Sequence, residues 1–204
     1  QLLTDGSSAE QAAARTSLTR MPSESVSTMI AAELKRADAA KRVTLIDILA
    51  TRRAFNTVAD ILPLAVNADP TVRSAATAAL GQLADPEHIP GMVRGILAAE
   101  RGRERESAEK AVMLVCHRIE DAQHQADPLL AAMDTFSGDD RTVLLPALGR
   151  VGGPAALQAA KAALADRDPS RHAAGLRALC NWPDASVAPD LIEIAQSGRD
   201  SGDR

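Results

Sequence analysis

The amino-acid sequence predicts an all-α fold built from repeated pairs of helices, and three observations support this prediction. Aromatic residues make up 1% of the 204 residues and include no tyrosine, whereas 46% of the residues are hydrophobic. A core must therefore be built from alanine, leucine, valine and isoleucine, and alanine and leucine are strong helix formers. No segment alternates cleanly between apolar and polar residues, as a half-buried strand would. Apolar residues recur instead at intervals of 31, 31, 35, 33 and 31 residues.

The recurring apolar residues define a ladder with one member in each of six sequence repeats. They are Leu18, Leu49, Leu80, Val115, Leu148 and Leu179. Small or apolar residues stand four positions before them: Ala14, Leu45, Ala76, Ala111, Leu144 and Gly175. An i, i+4 pair repeated in this way is typical of the inward face of a helix.

The position after each ladder residue is reserved for small side chains. It holds Thr19, Ala50, Gly81, Cys116, Gly149 and Cys180. Small residues allow helix backbones to approach closely, so this column predicts helix–helix seams. Both cysteines are accordingly expected to be buried packing residues.

The boundaries of the helices follow from capping and turn residues. Asp69 before Pro70 and Asp168 before Pro169 predict helix starts, and Ser7 with Glu10 fits a capping box. Each first helix leads through a short break into a second apolar helix, as in "TVADILPLAV", "IPGMVRGILAA", "PAALQAAKAAL" and "APDLIEIA". Prolines inside helical segments are expected to bend or interrupt them: Pro63, Pro128 and Pro146.

The pattern resembles HEAT repeats of the short, alanine-rich bacterial type. "ALGQLADPEHIPGMV" and "ALGRVGGPAAL" are similar to the junction between the two helices, and "DPTVRSAA" and "DPSRHAA" to the entry into a repeat. The resemblance implies a right-handed α-solenoid of about six helical hairpins, with the second helices on a concave, protein-binding surface. It implies one domain, 1–204, with repeats at 7–36, 38–67, 69–100, 103–136, 138–166 and 168–197 and a polar tail at 198–204.

The net charge, the length of the apolar runs and the ends of the sequence indicate which partners and which context to expect. A net charge of −4 disfavours binding of nucleic acid or anionic membrane by the whole surface. No apolar run approaches the about 18 residues of a membrane span. The first residue, Gln1, and the polar end "QSGRDSGDR" suggest a segment of a larger bacterial protein.

Neither the histidines nor the cysteines form a recognisable catalytic or metal motif. His88, His117, His124 and His172 show no metal-ligand spacing, and none is followed by glutamate as in the HEAT-type di-iron hydroxylases. Met113 stands where a haem attachment motif ending in Cys116 and His117 would need another cysteine. We therefore expect no catalytic residue, no metal and no cofactor.

Arginines supply the candidate binding residues. Arg42, Arg73, Arg141 and Arg171 stand near Asp38, Asp69, Asp140 and Asp168. This column is interpreted as a structural Asp–Arg ladder, the alternative being a basic stripe for an acidic partner. The densest cluster of positive residues lies in and just before the segment "AAERGRERES". We interpret this segment as a solvated loop. The candidate binding residues of the cluster are Arg94, Arg101, Arg103 and Arg105.

The favoured function is a non-catalytic scaffold that binds a protein, a peptide or a neighbouring domain of the same chain. The alternatives are an enzyme on the same fold, similar to the HEAT-like DNA glycosylases or bilin lyases, a nucleic-acid binder, or a spacer that binds nothing. The scarcity of tryptophan and tyrosine argues against the enzymes and against base stacking. Trp182 is expected to cover the end of the helical stack.

Overall fold

A computed structural model describes residues 6–202 of the chain. These residues form twelve α-helices and short 3-10 turns, with no β-strand among them. The predicted all-α class of paired helices is confirmed. The chain divides into two compact units, Gln1–Val115 and Cys116–Arg204.

The first unit contains three helical pairs and nearly all of a seventh helix, whose final residue begins the second unit. Its helices are α1 (Ser8–Arg20), α2 (Glu24–Glu33), α3 (Ala39–Thr51), α4 (Val58–Ile61), α5 (Pro70–Leu83), α6 (Ile89–Ala98) and α7 (Arg103–Cys116). The short α4 continues as a 3-10 helix, Leu62–Val66, which contains Pro63. First helices pack side by side, α1 against α3 and α3 against α5, and α6 packs against the 3-10 helix.

The second unit repeats this arrangement. Its helices are α8 (Asp127–Met133), α9 (Gly138–Val151), α10 (Pro154–Leu164), α11 (Pro169–Cys180) and α12 (Ala188–Gly202). The first helices α9 and α11 pack together, and α10 packs against both. The helix α12 extends through residues 198–202, which belong to the predicted polar tail.

Proline effects differ from one helix to the next. Pro63 lies in the 3-10 segment, so the predicted interruption of that second helix is confirmed. Pro128 does not break a helix as expected, because it lies in the first turn of α8. The backbone N–H groups of a first turn make no hydrogen bond within the helix, so a proline there removes none. The helix α9 runs unbroken through Pro146.

The ladder of apolar residues forms the core. Leu49, Leu80, Val115, Leu148 and Leu179 are fully or almost fully buried. Leu18, in the first repeat, is only half-buried. The predicted inward stripe is therefore confirmed in five repeats and weaker in the first.

The caps that start the helices are also as predicted. The Asp69 carboxylate accepts from the backbone N–H groups of Thr71 and Val72, and Asp168 caps α11 in the same way. Ser7 and Glu10 form the reciprocal capping box of α1. These bonds satisfy amide groups that a helix start leaves without a partner.

The small-residue column marks close helix contacts. A Cβ added to Gly81 would lie 3.1 Å from the Cα of Ala111, and one added to Gly149 would lie 2.6 Å from the Cα of Ala178. Cys116 is buried as expected, but Cys180 is exposed, so the expectation of a buried Cys180 is wrong. Gly81 and Gly149 of this column face the first helix of the next repeat, and the described residues contain no first helix after α11.

Trp182 packs at the end of the second unit. It is half-buried against a cluster of Ala160, Ala178, Leu179 and Val187. We expect Trp182→Ala to lower the free energy of unfolding by about 2 kcal/mol, less than the full cost of a wholly buried tryptophan. Urea unfolding followed by far-UV circular dichroism measures this.

A matched control for this substitution lies on α12. Ile192 is exposed, so Ile192→Ala should change the free energy of unfolding by no more than about 0.5 kcal/mol. Equal effects of the two substitutions would contradict the packing role of Trp182.

Candidate functional site

The arginine column ties successive repeats together. In α3, Arg42 Nε donates to the Leu34 carbonyl at 2.9 Å, and in α9, Arg141 Nη1 donates to the Met133 carbonyl at 3.4 Å. Both carbonyls belong to the end of the preceding second helix. A positive charge at this position complements the helix dipole and satisfies carbonyls that lack an intrahelical partner. The structural interpretation of the column is therefore supported.

The acidic partners of these arginines are not the aspartates that the sequence suggested. Asp38, Asp69 and Asp168 use their short side chains to cap their own helices. The arginines bind other acids: Arg73 binds Glu104, Arg141 binds Asp134 and Arg171 binds Asp166.

Arg73 makes the most buried of these contacts. Its side chain lies between α5 and α7, and the residue is 8% exposed. Nε and Nη2 bind the two carboxylate oxygens of Glu104 at 2.8 and 3.1 Å, while Nη1 donates to the carbonyls of Asn67 and Ala68. The hydrogen bond from Arg73 lowers the pKa of Glu104, although burial opposes this.

The predicted cluster of binding arginines does not lie on a long loop. The helix α7 already begins at Arg103, which leaves only residues 99–102 as the connection. Arg105 is half-buried, and its Nη2 donates to the Ala99 carbonyl at 2.7 Å. It is therefore the fourth repeat's member of the arginine column, which sequence reasoning missed because the 35-residue spacing places Ala108 in that register.

Three of the four candidate arginines are exposed. Arg94 lies on α6, Arg101 lies in the connection, and Arg103 starts α7. Among the described residues, none of the three side chains makes a hydrogen bond or an ion pair. Their chemistry permits binding of an acidic group.

An apolar row of exposed residues follows the second helices of the first unit. We call it the second-helix surface, and it consists of Met29, Ala32, Pro63, Val66, Pro90 and Arg94. Met29 is 72% exposed and Val66 is 48% exposed. A Cβ added to Gly95 of α6 would lie 3.2 Å from the Cβ of Ala65, so α6 and the 3-10 helix lie side by side. Arg94 is the one charged member of this surface.

A cleft lies beside the turns that join α1 to α2 and α3 to α4. We call it the turn cleft; its volume is about 550 Å³, and residues 19–24, Ser27 and residues 52–56 line it. Arg52, one of the lining residues, is held by three groups. Its Nε donates to Ser27 Oγ at 3.1 Å, its Nη2 to the Ser23 carbonyl at 2.7 Å, and its Nη1 to the Leu18 carbonyl. Nothing in the repeat pattern indicated this cleft, because turn residues vary between repeats.

Cys116 is held by burial, and His117, His124 and His172 are held by hydrogen bonds within the fold. Burial raises the pKa of the Cys116 thiol to about 12, which keeps it protonated and unreactive. His117 Nε2 donates to the Val151 carbonyl, and His172 Nδ1 to the Leu164 carbonyl. A hydrogen bond to Asp127 raises the pKa of His124.

The described residues hold neither a candidate metal-binding cluster nor a candidate membrane-spanning helix. Residues 6–202 contain no group of three histidine, cysteine, aspartate or glutamate side chains placed to hold a metal ion. Within the same part of the chain, no helix is both long and apolar enough to span a membrane.

Within each unit, paired helices pack side by side, with small residues at their close contacts and arginine side chains at the ends of the second helices. This architecture is that of a helical-repeat protein of the α-solenoid class. Residues 27–113 match the family model described as HEAT repeats. This segment carries HEAT repeats, the family that the sequence resemblance suggested. No curated protein matches the chain.

Proposed function

We propose that this chain is a non-catalytic interaction module that binds a protein segment on its second-helix surface. One observation carries the proposal: the second helices of the first unit leave two large apolar residues, Met29 and Val66, exposed to solvent, and α6 adds the exposed Arg94. HEAT repeats are commonly protein-interaction scaffolds. The proposal fits this general role.

The chemistry of the surface favours a protein partner over a nucleic acid. Nucleic-acid affinity depends on several lysines or arginines that neutralise phosphates, whereas the second-helix surface has only Arg94. Apolar side chains gain about 25 cal/mol for each Å² that a partner removes from water. Met29 and Val66 would therefore supply affinity, and Arg94 would orient an acidic side chain of the partner.

Selection from a library of random peptides displayed on phage tests this proposal with the chain as bait. The peptides most enriched by the wild-type chain are then synthesised with a fluorophore and titrated by fluorescence anisotropy. We expect Met29→Glu and Val66→Glu each to weaken binding at least about tenfold, because each places a charge in an apolar contact.

The matched control is Leu114→Glu on α7. Leu114 is another exposed apolar residue, 51% exposed, and lies outside the second-helix surface. It should leave the affinity unchanged. Equal binding to wild-type and both surface variants would place the contact elsewhere and overturn the proposal. Failure to enrich any peptide, with tight and salt-sensitive binding of duplex DNA, would overturn it in favour of a nucleic-acid binder.

A further inference from the structure

Arg53 occupies a backbone position that normally belongs to glycine. The helix α3 ends in a Schellman motif, in which the Ala54 N–H donates to the Leu49 carbonyl and the Arg53 N–H to the Ala50 carbonyl, both at 3.0 Å. Arg53 is the left-handed residue of this motif, with φ of 55°. Glycine is favoured there because a Cβ is strained in this conformation. Among the described residues, Arg53 is the one non-glycine residue with a positive φ.

The side chain of Arg53 makes no polar contact with the described part of the chain that would offset this strain. It is exposed, and within residues 6–202 its guanidinium makes neither a hydrogen bond nor an ion pair. Residues held in rarely populated backbone conformations are concentrated at binding and active sites. Arg53 lines the turn cleft, which gives its guanidinium a place to act.

The other residues of the turn cleft complete a mixed basic and apolar lining. Arg20 is a second exposed guanidinium without a partner in the described part of the chain. Arg52 has its donors committed to Ser27, Ser23 and Leu18, and Glu24 is the one acidic residue in the lining. Phe55 is 55% exposed and Met21 is 48% exposed.

We propose that the turn cleft binds an acidic peptide segment of a partner protein, with an aspartate or glutamate on Arg20 and Arg53 and an adjacent aromatic side chain on Phe55 and Met21. A guanidinium suits a carboxylate because it presents two parallel N–H donors, and the lining of the turn cleft offers two such groups. An aromatic ring adds contact with Phe55 and a flexible contact with the Met21 thioether.

A peptide explains this lining better than a nucleic acid does. The cleft offers only two uncommitted cations, and the Glu24 carboxylate would repel a continuous phosphate backbone. A short segment with one or two carboxylates avoids this repulsion. The proposed contact is independent of the second-helix surface, so Val66→Glu should leave it intact.

Fluorescence anisotropy with three labelled peptides tests the ligand chemistry. The peptides alternate phenylalanine with aspartate, asparagine or lysine and are otherwise identical. We expect the aspartate peptide to bind about tenfold more tightly than the asparagine peptide at low ionic strength. This advantage should shrink as salt is added, because exposed charges are screened. The lysine peptide should not bind.

Arg53→Gly is the decisive variant because it removes the charge without harming the fold. Glycine is the preferred residue at this position, so the melting temperature should stay the same or rise. We expect the affinity for the aspartate peptide to fall about tenfold. Arg53→Lys retains the positive charge and should retain most of the binding. Arg36→Gln, which removes another exposed arginine of the first unit outside the turn cleft, should change nothing.

Three results would overturn the proposal. The first is equal binding of the aspartate peptide to the wild-type chain and to Arg53→Gly. The second is equal affinity for the aspartate and asparagine peptides. The third is tighter binding of a single-stranded thymidine oligonucleotide than of the aspartate peptide, lost in Arg53→Gly, which would assign the turn cleft to nucleic acid.

Discussion

Gly149→Ala should destabilise the second unit by about 3 kcal/mol, because the added methyl group has no space. It would overlap the backbone of Ala178, including its carbonyl oxygen, with the Cα and the carbonyl carbon each at 2.6 Å. Backbone atoms cannot rotate away as a flexible side chain can, so α9 and α11 would have to separate. Urea unfolding followed by circular dichroism measures the loss.

Gly81→Ala is the matched substitution in the first unit. Its Cβ would lie 3.1 Å from the Cα and Cβ of Ala111, which requires a shift of only a few tenths of an ångström. Alanine is also favoured over glycine inside a helix by about 1 kcal/mol. The two effects oppose each other, so Gly81→Ala should be close to neutral. A Gly149→Ala variant as stable as Gly81→Ala would show that α9 and α11 are not in close contact.

Arg73→Ala should cost about 3 kcal/mol of unfolding free energy, because it leaves the carboxylate of Glu104 largely buried without its cation. It also removes the donor to the carbonyls of Asn67 and Ala68. Arg171→Ala is the control, since Arg171 and its partner Asp166 are both much more exposed. Exposed ion pairs contribute at most about 1 kcal/mol. Similar losses in the two variants would contradict a special role for the Arg73–Glu104 pair.

The same pair predicts a dependence of stability on pH. The pKa of Glu104 in the folded chain lies below its usual value of 4.5. The Glu104 carboxylate is therefore protonated more readily in the unfolded chain than in the folded chain. The contribution of the pair is complete above the unfolded pKa and is lost as the pH falls through the folded pKa. Arg73→Ala should therefore flatten the acid side of the stability–pH curve. A wild-type curve that Arg73→Ala leaves unchanged in shape would contradict this assignment.

The repeat pattern made most of the fold predictable from sequence. The ladder and the small-residue column both depend on the size and polarity of the side chains at positions where helices pack. Residue type gives these properties directly, so both could be found in the sequence. Gly149 against Ala178 is the clearest example. Caps such as Asp69 were equally predictable, because the bond they make is to their own helix and needs no tertiary information.

Features that depend on contacts between elements were not predictable in the same way. Arg105 belongs to the arginine column by position in space, although the insertion shifts it out of sequence register. Cys180 is exposed because its place in the column matters only when another first helix follows. The turn cleft depends on how the ends of two hairpins meet, which no single repeat encodes.

The arginine column gives the repeat array a direction. The second helices that end near Leu34, Asn67, Ala99, Met133 and Leu164 all receive donors from the repeat that follows. In the first four cases the donors are Arg42, Arg73, Arg105 and Arg141. In the last case the donor is His172, because Arg171 binds Asp166 instead. During synthesis from the N-terminus, a repeat thus emerges with open carbonyls at its last helix and is completed only when the next one appears. Each new repeat in this way stabilises the one made before it, and a truncation after any second helix leaves that helix end without its cap.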